Sequence, residues 1–191
     1  MRTAARILGA LVLAGALSSL LAVAVSLVEG KPKLSGSGRA IDGDTLVVGG
    51  TRVRLKGIDA PELHQVCGRR EGGSWRCGLE SARALARMIE GRTVVCADHG
   101  RDPYGRTLGV CFADRVEINA EMVRRGLAWA FVRYSRAYVK AEAEARAARR
   151  GIWQGQAVPA WRVRRRSQVS GAKYRMSGGG CQKVAIELID S

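Results

Sequence analysis

Arg54-Leu-Lys-Gly-Ile-Asp-Ala-Pro-Glu62 reads as the end of a β-strand running into a turn. From Thr51 to Lys56 the residues alternate: Val53 and Leu55 point one way, into a core, while Arg52, Arg54 and Lys56 point the other. Gly57 and Pro61 bracket Ile58 to Glu62 and end the strand, so Asp59 and Glu62 lie close together with no regular structure to spread them apart. Working outward, Gly49-Gly50 is a hairpin signal that pairs this strand with an earlier one, Arg39 to Val48, interrupted by Asp42-Gly-Asp44. After the turn, Leu63 to Gly78 is a polar, Gly-rich loop, read as a flexible rim. Leu79, Ala82, Leu85, Ala86 and Ile89 follow helical spacing up to Gly91. Thr93 to Ala97 and Thr107 to Phe112 read as a second hairpin, and Ile118, Met122 and Val123 as a short helix stopped by Gly126. Ala128 to Tyr134 is extended; Arg136 to Arg150 has high helix propensity, with Tyr138, Ala141, Ala145 and Ala148 as its inner face. Ile152 and Trp153 cap the core.

Three segments carry the chemistry: Ile41-Asp-Gly-Asp-Thr45, the quoted turn, and Asp102-Pro-Tyr-Gly-Arg106. Asp44 and Asp59 can hold a hard cation, whose ligands are carboxylates, carbonyls and waters. Glu62 can handle a water's proton, and Arg54 and Arg106 can grip a phosphate from two sides. Together these are the requirements of phosphodiester hydrolysis, where the substrate's negative charge must be neutralised where the nucleophile is generated. Arginine suits the first task because its planar fork donates two parallel hydrogen bonds and stays charged at any working pH. Asp42 either belongs to the outer shell of the ion or shapes the turn. His64 and Cys67 invite a zinc reading, but His99 is the one other histidine and no Cys-x-x-Cys spacing occurs.

With Val53-Arg-Leu55, Ile118-Asn119, Met122-Val-Arg124, Gly126-Leu-Ala128 and Gly151-Ile-Trp153 added, these blocks resemble the staphylococcal nuclease (thermonuclease) family in the right order from about Gly38 to Trp153. The resemblance implies an α+β fold, a five-stranded OB-fold barrel with three α-helices, and Ca²⁺-dependent cleavage of DNA and RNA that leaves 3′-phosphate ends. It implies that Asp44, Asp59 and the carbonyl of Ala60 ligate calcium, that Arg54, Glu62 and Arg106 are catalytic, and that Tyr104 and Tyr134 bind substrate. Two departures stand out: Pro103 replaces a phosphate-directed lysine before Tyr104, and Val132 replaces a tyrosine of the nucleotide pocket.

The 191 residues hold one ordinary domain with appendages. Lys and Arg number 32 against 17 Asp and Glu, a formal charge of +15 that fits a polyanionic partner, DNA or RNA. Residues 1–30 read as a signal peptide or membrane anchor that forms an apolar helix. There Arg2 and Arg6 precede an uncharged run from Ile7 to Val28, and Ala22-Val-Ala24 offers a small-residue cleavage site. The run is about the roughly 20 residues that span a bilayer, and signal and anchor alike place the domain outside the cytoplasm: periplasmic, secreted, or tethered to the outer face of the inner membrane. Residues 31–38 read as a linker, 39–154 as the domain and 155–191 as a basic, flexible tail. In that tail Arg162, Arg164, Arg165 and Arg166 surround Trp161 and add either solubility or nonspecific phosphate attraction, and Val184 to Ile189 is a candidate lone strand.

Cysteine usage agrees with export, where disulfides persist. Cys67, Cys77, Cys96 and Cys111 allow three connectivities. The expected pairs are Cys67 with Cys77, closing the loop after Glu62, and Cys96 with Cys111, joining the strands that flank the Asp102 turn. Each such short loop gains about 2 to 3 kcal/mol in the chain-entropy model. Cys181 is left over, either free, paired with another chain, or a sign of a different connectivity, and the expected state is a monomer. Two other readings compete with an enzyme: a noncatalytic OB-fold module that binds nucleic acid, and an envelope interaction domain whose basic face meets anionic lipid.

Overall fold

A computed structural model describes residues 33–169 and two short paired strands, Tyr174–Ser177 and Gly180–Lys183. The leader with its Ile7 to Val28 run, the Cys181 side chain and residues 184–189 lie outside the described residues. Among the described residues no helix is long and apolar enough to cross a membrane.

The quoted stretch ends a strand, β3 (Thr51–Leu55), that closes a barrel. β1 (Lys33–Ala40), β2 (Thr45–Val48) and β3 form an antiparallel meander through the Gly49-Gly50 turn. After β4 (Ile58–Asp59) and the small hairpin β5 (Cys67–Gly68) and β6 (Ser74–Trp75) comes helix α1 (Cys77–Ile89). Strands β7 (Thr93–Arg101) and β8 (Thr107–Ala113) then pair antiparallel, with β7 beside β1. Closure comes from β8 running parallel to β3, in the register Val53 with Thr107 and Leu55 with Gly109. A parallel pair needs a long crossover, and α1 with β7 supplies it. The chain continues through β9 (Val116–Glu117), α2 (Ile118–Arg124), β10 (Trp129–Ala130), α3 (Val139–Ala147), a 3₁₀ turn (Gly151–Gln154) and α4 (Ala160–Val169). The fold is thus the expected five-stranded barrel with helices.

Alternation does what it predicts: Leu46, Val48, Val53 and Leu55 are buried in the barrel, packed with Leu85, Met88 and Ile89 of α1 and with Ile118, Met122 and Val123 of α2. Both chosen disulfides are present, Cys67–Cys77 and Cys96–Cys111. Asn119, fully buried on α2, ties the closure together: its Nδ2 donates to the carbonyls of Lys56 and Gly109, each at 3.0 Å, and its Oδ1 accepts from Cys111 N–H.

The structure differs from the sequence reading in three places. Residues 33–38 are not linker but most of β1, and the domain starts there. One of its glycines is set by packing: a Cβ on Gly38 would sit 2.8 Å from Val94 Cγ2 and 3.2 Å from Ile89 Cδ1. Of Ala128 to Tyr134 only Trp129–Ala130 is strand, paired with β4. The stretch after Gln154 does not leave the domain at once, because Ala160 is buried and Ala157 and Trp161 pack on a second core of Cys67, Cys77, Trp129 and Ile152. A fourth helix therefore joins the expected three.

Candidate active site

The turn after β3 does bring its acids together. Asp44, 6 % exposed, and Asp59, fully buried, both pair with Arg54: Nη1 contacts Asp44 Oδ1, and Nη2 donates to Asp59 Oδ1 at 2.7 Å. Asp44 is fixed further by the Ala60 N–H, which donates to Oδ2 at 2.7 Å, and by the Thr45 hydroxyl, 3.2 Å from Oδ1. Asp42 is a turn residue, since its Oδ1 accepts the Asp44 N–H at 2.9 Å. The backbone of Glu62 is pressed against α1, where a Cβ on Gly78 would lie 1.7 Å from the Glu62 carbonyl oxygen. Only glycine permits that approach.

Across the barrel mouth, the turn between β7 and β8 is built on Asp102. Its Oδ1 accepts the N–H groups of Tyr104 and Arg106, each at 2.9 Å, and its Oδ2 accepts Arg106 Nε at 2.6 Å. Arg106 also lies over the Tyr104 ring, 5.5 Å from its centroid. Asp44, Arg54, Glu62, Tyr104, Arg106 and Tyr134 share the wall of one cleft of about 990 Å³, which Ala60 also lines. Tyr104 is 82 % and Tyr134 63 % exposed there, so both rings offer a face to a ligand. Phe131, 5.0 Å from Tyr134 between ring centroids, is a further wall residue that the sequence reading did not single out.

The largest surprise is Arg164 of α4. Its Nη2 donates to both oxygens of Asp59 at 3.0 Å, and its Nη1 donates to Glu62 Oε1. By sequence Arg164 is a tail residue, and its place in an arginine cluster beside a tryptophan is the one local hint of another role.

Electrostatics follow from these contacts. Burial lowers the affinity of Arg54 for its proton, partly countered by Asp59, and the net shift is downward. Burial pulls Arg164 the same way, but Asp59 and Glu62 outweigh it and hold the guanidinium above its ordinary value. Burial alone would raise the Asp102 carboxyl, yet the hydrogen bonds from Arg106 and Tyr104 win and hold it below its ordinary value. A carboxylate depressed in the folded state stabilises above its unfolded value, about 3.9, and loses that contribution as pH falls further. Thermal unfolding of wild type and Asp102→Asn should therefore differ by a constant margin between about pH 5 and 8, and the two should converge below about pH 4. Convergence at neutral pH instead would deny Asp102 its ionised role.

The donor set accords with a hard divalent cation. Asp44 and Asp59 are buried carboxylates, and in this structure the positive charge beside them is that of Arg54, on both, and of Arg164, on both oxygens of Asp59. Among the described residues no three His, Cys, Asp or Glu side chains cluster to hold a metal.

The comparisons decide the family. The family model described as "Staphylococcal nuclease homologue" matches residues 52–155, more than half of the chain. The chain belongs to the staphylococcal nuclease family. An uncharacterized endonuclease of Escherichia coli is 38 % identical over 136 residues, covering 67 % of this chain and 82 % of that protein. The succinoglycan biosynthesis protein ExoI of Rhizobium meliloti is 40 % identical over 124 residues, 63 % of this chain and 65 % of that protein's own length. A probable staphylococcal-like nuclease of Oryza sativa subsp. japonica is 36 % identical over 104 residues, 53 % of this chain and 25 % of its own length.

Proposed function

We propose that this chain is a calcium-dependent nuclease that hydrolyses phosphodiester bonds of DNA or RNA outside the cytoplasm, as a monomer. Family membership and relatives named as endonuclease and staphylococcal-like nuclease support action on nucleic acid. The observation that carries the finer reading is the meeting of Asp44, of Arg54 and Glu62, and of Arg106, from three separate segments, on one cleft. A calcium ion held by Asp44, Asp59 and the Ala60 carbonyl would supply positive charge to polarise the scissile phosphate.

The protein groups then divide the work. Glu62 accepts the proton of a water that attacks phosphorus in line with the departing 5′ oxygen. Arg54 and Arg106 donate to the phosphate oxygens as negative charge builds on them, and Arg106 also favours release of that 5′ oxygen. Tyr104 and Tyr134 present ring faces on which bases stack. The two disulfides favour an oxidising compartment, in keeping with a leader or anchor at residues 1–30.

Purified protein incubated with plasmid DNA and with RNA, in calcium or in EDTA, tests the reading. Cleavage in calcium and none in EDTA is the expected result. Binding of nucleic acid without cleavage at any calcium concentration would replace the enzyme with a binding module, and binding of anionic vesicles alone would replace it with an envelope interaction domain.

A further inference from the structure

Of the acids Asp44, Asp59 and Glu62, Asp59 is the one that the cleft does not reach: it is fully buried and absent from the cleft wall, which the other two line. Two guanidinium groups cover it. Arg54 is shared between Asp44 and Asp59, and Arg164 of α4 donates through Nη2 to both Asp59 oxygens at 3.0 Å and through Nη1 to Glu62 Oε1. Arg164 itself lines the cleft with its side chain 43 % exposed, so it stands between the opening and Asp59. The helix that carries it is anchored by other contacts. Trp161 stacks on Phe131 at 5.4 Å between ring centroids and meets Trp129 edge-on at 6.0 Å. Gln65 fastens the segment before α4 to the loop of Glu62: its Oε1 accepts the Glu62 N–H at 3.1 Å, and its Nε2 donates to the Val158 carbonyl at 2.6 Å.

A carboxylate oxygen has two lone pairs, and a guanidinium and a metal ion compete for them. Asp59 Oδ1 already accepts from both Arg54 and Arg164, and Oδ2 accepts from Arg164. The Arg164 charge, fixed beside both oxygens, also repels an incoming cation. We propose that Arg164 is a tethered counter-ion of the site, an autoinhibitory contact that a divalent cation must displace before Asp59 can ligate it. Displacement needs only the rotation of one long side chain, because α4 keeps its anchor at Trp161 and the cleft, about 990 Å³, has room for the guanidinium. The device keeps the buried acid compensated at low calcium and sets the calcium concentration at which the site opens. The inference rests on the calcium reading above and deepens it, adding regulation by a helix that starts at Ala160, beyond the family-matched residues 52–155.

Calorimetric titration of the full chain with calcium, with no nucleic acid present, tests it. A site whose binding-competent form is about one part in ten to one part in a hundred has its apparent affinity lowered by that fraction, so Arg164→Gln should bind calcium about 10- to 100-fold more tightly than wild type. Arg164→Lys should fall between the two, because an ammonium keeps the charge but cannot lie on both carboxylates in one plane. Arg165→Gln removes the same charge from the adjacent exposed position of α4, outside the cleft wall, and should change the affinity by less than about threefold. The same difference should appear in stability, one fixed calcium concentration raising the Tm of Arg164→Gln by more than that of wild type. Circular dichroism checks that each variant is folded, and the lysine variant carries the test should the glutamine variant fail to fold. Weaker calcium binding in Arg164→Gln than in wild type overturns the inference, and equal tightening in Arg164→Gln and Arg165→Gln overturns it as a bulk charge effect. Calcium bound by neither wild type nor Arg164→Gln overturns the calcium reading and this inference with it, whereas equal binding by both overturns this inference alone.

Discussion

Glu62→Gln abolishes turnover while leaving substrate binding nearly intact. The expected loss in kcat is about 10³-fold, within the 10²- to 10⁴-fold range that a positioned proton acceptor contributes. The amide keeps the shape of the carboxylate and still offers Arg164 an oxygen, so α4 stays docked and the cleft keeps its form. What it loses is the capacity to accept a proton from water. Affinity for a non-cleavable phosphorothioate oligonucleotide, measured by fluorescence anisotropy, should stay within about threefold of wild type. Wild-type kcat in this variant would reject the role given to Glu62, and equal losses in kcat and affinity would make it a binding group.

Arg54→Gln carries the second large effect, and it has two parts. In the loaded enzyme it removes one of the two guanidinium groups that face the phosphate, a loss comparable to deleting an oxyanion donor, about 2.7 to 4 kcal/mol of barrier or 10²- to 10³-fold in kcat. In the folded protein it strips Asp44 and Asp59 of a shared partner, and both are buried. Breaking a buried pair by removing one member costs about 3 to 5 kcal/mol, because the remaining charge is left uncompensated. Asp59 retains Arg164 and Asp44 retains the Ala60 N–H, so the lower end of that range is expected. Calcium should restore part of the lost stability if it binds those carboxylates. Chemical denaturation with and without calcium reads the second part, and single-turnover cleavage reads the first. A variant as stable as wild type with unchanged kcat would remove Arg54 from both roles.

Much of this was legible before any coordinates. The alternation from Thr51 to Lys56 predicts which residues enter the barrel, and Val53 and Leu55 are buried as it requires. The glycine pair 49–50 predicts a hairpin, and β2 and β3 form one. The loop-closing and strand-joining cysteine pairs are both found. The meeting of Asp44, Glu62 and Arg106 on one cleft came from the order of sequence blocks and their family resemblance rather than from periodicity. What was not legible is instructive. Residues 33–38 look like a linker because composition counts side chains, whereas strand pairing uses backbone groups and here needs glycine against Val94 and Ile89.

The sequence by itself determined the strands, hairpins and helices and the chemical types gathered at the turn, because periodicity and turn residues are local properties of the chain, and the barrel followed from the family resemblance of its ordered blocks. Only the tertiary structure decided that Arg164 reaches Glu62 and Asp59 across 102 and 105 positions. No local pattern encodes that contact, since it depends on where Trp161 finds Phe131 and Trp129 to pack against and on Gln65 fastening the two regions together. A charge cluster reads as solvated until packing gives one of its members two buried acids to face.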